Sequence, residues 1–158
     1  MPRVFLVLYA PTSPQRLVDV ARLAFSIPVV DAFVVVKPSG MAAQVGIPEV
    51  SKLAYKMGKS FVILPQLQDV VETLPVKKVL FIVHDENAED LTSIEIPCED
   101  LAIVVQGSEL SFSKNDLALG IPVKLSFLER APPIPASDAV LALYEVSKKC
   151  FSPETGHH

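Results

Sequence analysis

Blocks of continuous apolar residues alternate along this chain with blocks whose apolar positions recur at helical spacing. Arg3 to Tyr9 reads as a strand, and Ser13-Pro14 then joins an N-cap to a proline at the first helical position. Leu17, Val20, Ala21, Ala24 and Phe25 follow at helical spacing, which predicts a helix over 14–25 covering one face of a sheet. Asp31 to Lys37 is almost wholly apolar, the pattern of a strand buried on both faces in a parallel sheet. Gly40 to Gly46 reads as a flexible loop, Pro48 to Met57 as a helix closed by Gly58, and Phe61 to Leu64 as a third strand. A short helix over Gln66 to Glu72 leads to a fourth strand, Val79 to Val83.

The acidic segment Asp85 to Asp100 carries few apolar residues and reads as a loop with one turn of helix. Leu101 to Val105 is the fifth strand, Ser113 to Leu119 a short helix stopped by Gly120, and Val123 to Leu125 a short sixth strand. Ser137 then caps a closing helix to Lys149, with Val140, Leu141, Tyr144 and Val146 as its apolar side and Asp138 as a favourable charge at its start. The alternation predicts an α/β fold, a mainly parallel sheet of about five or six strands flanked by helices. It forms one domain over 1–150, followed by a tail over 151–158.

Composition narrows the class. The chain has 158 residues, half of them hydrophobic, yet no apolar stretch approaches the roughly 20 residues of a membrane helix, so no membrane partner is expected. The amino terminus opens directly into a strand, without the charged lead of a signal peptide, and a cytoplasmic location follows by default. Cys98 and Cys150 lie far apart and lack the paired spacing of a zinc or redox site, so they read as ordinary thiols, with no disulfide or structural metal. Thr155-Gly156-His157-His158 reads as the start of a purification tag, which leaves His84 as the native histidine. Net charge is −4, but residues 1–60 hold seven Lys and Arg against three Asp and Glu, a basic excess able to meet an anion.

Several chemistries lack their motifs. Ala10-Pro11-Thr12-Ser13 follows the first strand in place of a G-x-G-x-x-G or P-loop string, and no G-x-S-x-G elbow is present. His84-Asp85-Glu86 is one local group, so a metal-dependent nuclease working through Asp85 and Glu86 is a minor reading beside a solvated turn. The fifth strand breaks at Gln106-Gly107-Ser108-Glu109, which offers backbone amides and one carboxylate where open α/β sheets bind ligands.

Four segments together resemble the SPOUT superfamily of S-adenosylmethionine-dependent RNA methyltransferases, in its SpoU-like branch. Ser13 to Ala24 is similar to the first SpoU motif, with Arg22 at the arginine position and Arg16 and Val18 where the motif has asparagine and glycine. Val104 to Glu109 resembles the second motif, a strand followed by a Gly-x-Glu turn. Gly120-Ile121-Pro122-Val123 matches the Ile-Pro strand and Ala139 to Glu145 the C-terminal helix, while Pro132-Pro133-Ile134-Pro135-Ala136 replaces the Ser-Leu-Asn string of the third motif.

The resemblance implies a C-terminal trefoil knot and a bound S-adenosyl-L-methionine. The cofactor would rest on the loops bearing His84, Gln106, Gly107, Ser108, Ile121, Val123 and Ile134. It also implies an RNA substrate, tRNA or rRNA, and a homodimer whose site draws on both subunits. Arg22 would stabilise a developing oxyanion and Glu109 would orient a substrate or cofactor amine. The expected function is therefore S-adenosylmethionine-dependent methyl transfer to RNA. The alternatives are a knotted binding or scaffold protein that has lost turnover and the metal-dependent nuclease.

Overall fold

The computed structural model describes residues 2–128 and 134–151. Its strands are β1 (Val4–Tyr9), β2 (Val30–Val36), β3 (Phe61–Leu64), β4 (Lys78–Ile82), β5 (Glu89–Asp90), β6 (Leu101–Gln106) and β7 (Ile121–Lys124). They form one seven-stranded sheet in the order β3-β2-β1-β6-β4-β7-β5, with every pairing parallel. The helices are α1 (Pro14–Ser26), α2 (Ile47–Met57), α3 (Gln68–Thr73), α4 (Lys114–Leu117) and α5 (Pro135–Cys150).

Alternation along the strands splits the core in two, because successive side chains leave opposite faces. Leu6, Leu8, Phe33, Ile82 and Ile103 face α1, α2 and α5, packing on Leu17, Val50, Ala54 and Ala142. Val7, Val34, Phe81 and Val104 face the other way, toward Val70 of α3 and the partly buried Phe112 and Leu117. Both faces are thus covered, which is why the central strands are apolar along their whole length. β1 and β6 are neighbours although the chain leaves β1 in one direction and reaches β6 from the other. Such a reversal of strand order opens a crevice at the carboxyl edge.

The start of α1 is as the sequence predicts: Ser13 is the N-cap, its hydroxyl accepting from the Arg16 amide at 3.3 Å. Gly58 closes α2 in the left-handed conformation at φ 65°. Four elements differ from expectation. Residues Ala42–Gly46 are a π-helical turn running into α2 rather than a loop, and Gly46 lets this turn meet α1, since a Cβ there would lie 2.8 Å from Leu17. Within the acidic segment, Glu89–Asp90 pairs with Val123–Lys124 as an edge strand too short to leave a sequence pattern. β7 begins at Ile121, two residues early, because Gly120 passes so close to Val79 that a Cβ would collide with its carbonyl.

The fourth difference is α5. It begins at Pro135 with Ile134 as N-cap, so Ser137 lies inside the helix. Its buried hydrophobic residues past the first turn are Ala139, Ala142, Leu143 and Val146, whereas Val140 and Tyr144 are 41% and 64% exposed. Small residues form the contact face because the helix lies close to the sheet.

The expectation of two free thiols is also overturned: Cys98 and Cys150 form a disulfide, with Cα atoms 5.5 Å apart. α5 returns antiparallel to β6 and ends beside the residues that lead into that strand. Topology, not sequence spacing, brings the two cysteines together. The trefoil knot would run through residues 129–133, which lie outside the described residues, as does most of the 151–158 tail.

Candidate functional site

The carboxyl ends of β4 and β6 carry the polar groups. Continuing past Ile82, His84 turns toward the face covered by α5, and its Nε2 lies 2.9 Å from Asp138 Oδ2. The His84 side chain is 23% exposed and that of Asp138 fully buried. Burial pushes the Asp138 carboxyl above its ordinary value, and the imidazole opposes that rise. Among the described residues, Asp138 Oδ1 is buried without a hydrogen-bond partner. A carboxylate so placed holds the ring orientation.

Beside the pair is a cavity of about 360 Å³, lined among others by His84, Asn87, Gln106, Phe112, Leu117 and Pro122. Phe112 forms its apolar wall, packed on Tyr9 and Phe81 with ring centroids 5.1 and 5.0 Å away. Burial and then the charge of Asp116 push the Tyr9 phenol up, so it stays protonated at neutral pH. Gln106 is buried, and its Nε2 donates to the Leu110 carbonyl at 3.0 Å, pinning the turn that follows β6. Lys124 of β7 holds a cation against the loop after β4, its Nζ donating to the Glu86 carbonyl at 2.9 Å.

The residues expected from the sequence divide. His84 and Gln106 line the cavity together. Gly107 and Ser108 form the adjoining turn, where the Gly107 amide donates to the Tyr9 carbonyl at 2.6 Å and Ser108 Oγ accepts from Leu110 at 3.4 Å. Gly107 is required there because a Cβ would lie 2.7 Å from that carbonyl. Ile121 and Ile134 are 41% and 46% exposed, at the start of β7 and the cap of α5, and Val123 is fully buried in β7. Glu109 is exposed, and the short helix after it starts with the Ser113–Asp116 capping box. Arg22 is exposed on the second half of α1, which has run about two turns back toward the amino edge, so it does not join this group.

The sequence reads Asp138 as a helix-start charge, with a minor catalytic possibility from the SPOUT resemblance, and its partnership with His84 has no local signal. Phe112 and Asn87 were likewise missed as cavity lining. Asp85 accepts the Asn87 amide at 2.9 Å in a turn, and both it and Glu86 are exposed. Among the described residues no three His, Cys, Asp or Glu side chains are grouped to hold a metal ion. No helix among them is long and apolar enough to cross a membrane.

The fold defines the class first. It is shared with the SpoU methyltransferase AviRb from Streptomyces viridochromogenes, at a TM-score of 0.69 and 17% identity over 93% of this chain and 60% of that one. The S-adenosylmethionine-bound rRNA methyltransferase from Sinorhizobium meliloti matches at 0.67 and 14% identity, over 95% and 57% of the two chains. Such identities carry the α/β architecture alone. The chain belongs to the family described as RecB-family nuclease (DUF2122), which it matches over residues 40–145. It is 39% identical to a candidate type II restriction enzyme of Aeropyrum pernix, over 89% of this chain and 90% of that one. A second candidate type II restriction enzyme, of Methanocaldococcus jannaschii, is 28% identical over 94% and 99% of the two chains.

These matches overturn the expected S-adenosylmethionine-dependent RNA methyltransferase activity. The motifs behind that expectation were backbone features: a strand-end turn, an Ile-Pro strand and a small-residue helix. Those features specify a fold and leave its reaction open.

Proposed function

We propose that this chain hydrolyses phosphodiester bonds of DNA at the His84–Asp138 pair. Family membership supports the substrate class, and the 2.9 Å contact between a part-exposed imidazole and a buried carboxylate carries the chemistry. Asp138 engages Nε2, so Nδ1 is the nitrogen left to take a proton from water. The water oxygen forms a bond to phosphorus as the bond to the leaving oxygen breaks, and the imidazolium returns the proton to that oxygen. Lys124 supplies a positive charge near the phosphate. The described residues do not form the acidic cluster of a two-metal phosphodiesterase, and no step here passes through a metal.

Incubation of the full chain with supercoiled plasmid and labelled duplexes, in magnesium and in chelator, tests this. Wild type should cut, His84→Gln and Asp138→Asn should lose roughly 10²- to 10⁴-fold, and Asp85→Ala should stay near wild type. Absence of cleavage on every DNA overturns the reading. So does cleavage that needs Asp85 and not His84.

A second reading concerns a ligand and not a reaction: S-adenosylmethionine binds in the cavity beside His84. Its support is the 360 Å³ volume, the apolar wall at Phe112 and the amide side chains of Asn87 and Gln106. A solved protein of the same fold carries this molecule. Titration calorimetry with S-adenosylmethionine checks it, and absence of binding heat across temperatures removes it.

A further inference from the structure

Helix α2 turns Val50 and Ala54 to the core and directs Lys52, Tyr55 and Lys56 to solvent. Positions i, i+3 and i+4 share one stripe, and Lys59 extends it past the Gly58 cap. Tyr55 is 90% exposed in the middle of this stripe. A ring of that size ordinarily hides much of its area, so an aromatic standing free among lysines marks a contact surface. Among the described residues, none of the three ammonium groups has an ion-pair or hydrogen-bond partner. Glu49 is the acidic residue of α2 and occupies its first turn.

The neighbouring helix adds to the same charge. α1 packs on α2 across the π-helical turn and exposes Arg16 and Arg22, with Asp19 exposed between them. Beyond residue 60 the chain is acidic, with fifteen Asp and Glu against seven Lys and Arg, so this positive face is not a reflection of overall composition.

We propose that the outward face of α2 binds single-stranded DNA, with Tyr55 stacking on an unpaired base and Lys52, Lys56 and Lys59 meeting the flanking phosphates. The lysines alone would suit any polyanion. Tyr55 selects an unpaired strand, because duplex bases stack on one another and offer no free face. The choice of DNA rests on the phosphodiesterase reading, while the stripe itself does not.

Fluorescence anisotropy of labelled oligo(dT), in chelator and over a salt series, tests the surface with the full chain. Tyr55→Ala should weaken binding roughly tenfold, the loss of one base stack, while Tyr55→Phe stays near wild type. Lys52→Ala with Lys56→Ala should lower the slope of log affinity against log salt by about 1.4, as for two lost phosphate contacts on a single strand. Lys148→Ala, on α5, should change neither. Unaltered binding in Tyr55→Ala, tighter binding of duplex than of strand, or tighter binding of oligo(U) than of oligo(dT) overturns the proposal. A cleavage assay on the same wild-type protein, run beside the titration, separates the two readings. Stripe-dependent binding without cleavage defeats only the His84–Asp138 chemistry, and cleavage without it defeats only the stripe.

Discussion

His84 Nε2 and Asp138 Oδ2 lie 2.9 Å apart across 54 residues of sequence, joining the end of β4 to the first turn of α5. Asp138 is held above its ordinary carboxyl value by burial, and His84 pulls it back down. His84→Ala therefore leaves a buried carboxylate without its partner and should cost about 2 kcal/mol.

The loss should depend on pH in a defined direction. A carboxyl whose folded value is raised binds more protons in the folded than in the unfolded state, so stability falls as pH rises from the unfolded value through the folded one. Without the opposing imidazole, that fall should extend to higher pH in His84→Ala than in wild type. Thermal melts of both proteins from acid to neutral pH check this, and parallel curves would contradict it.

Asp90 gives the opposite sign. Hydrogen bonds from Ser126 and Thr92 hold its carboxyl well below the ordinary 3.8. The stabilisation is complete above that value and is lost as pH falls through the lower folded one. Asp90→Ala should cost about 1 kcal/mol at neutral pH, as for a lost cap, with the difference shrinking only in strong acid. Urea melts of the two proteins at several pH values measure it.

The Cys98–Cys150 bridge has a sequence separation of 52. Closing a loop of that length removes unfolded-state entropy worth about 4 kcal/mol. Reduction, or replacement of both cysteines by serine, should lower Tm by roughly 10 °C. A melt unchanged by reductant would show that the bridge adds nothing.

Gly107→Ala tests the approach of the β6 turn to β1. Its Cβ would meet the Tyr9 carbonyl at 2.7 Å and the Pro11 nitrogen at 2.9 Å, both backbone atoms unable to swing aside. A loss of about 1–3 kcal/mol is expected. Weaker ligand binding should accompany it, because the turn borders the cavity; denaturation and calorimetry on one preparation measure both.

The central strands and α1 were legible because their signals are local. Continuous apolar runs such as Phe33 to Val36 have no other use than a sheet covered on both faces, and Ser13-Pro14 marks a helix start by itself. The contact face of α5 was misread because hydrophobicity pointed to Val140 and Tyr144, while close approach to the sheet selects Ala139 and Ala142. Half of the candidate site was visible: His84 and Gln106 stand at strand ends, where such sheets bind ligands. Asp138 was not, since its partner lies on another element. The reaction was least legible, because the backbone features that read as methyltransferase motifs are shared by proteins of different activity.

The bridge between Cys98 and Cys150 also makes a closed covalent loop of the segment that carries β6, β7 and the whole of α5. A single proteolytic nick inside that loop cannot release a fragment. Such a chain would migrate as one species on a non-reducing gel and as two after reduction, with Asp138 still tethered to the strands beneath His84.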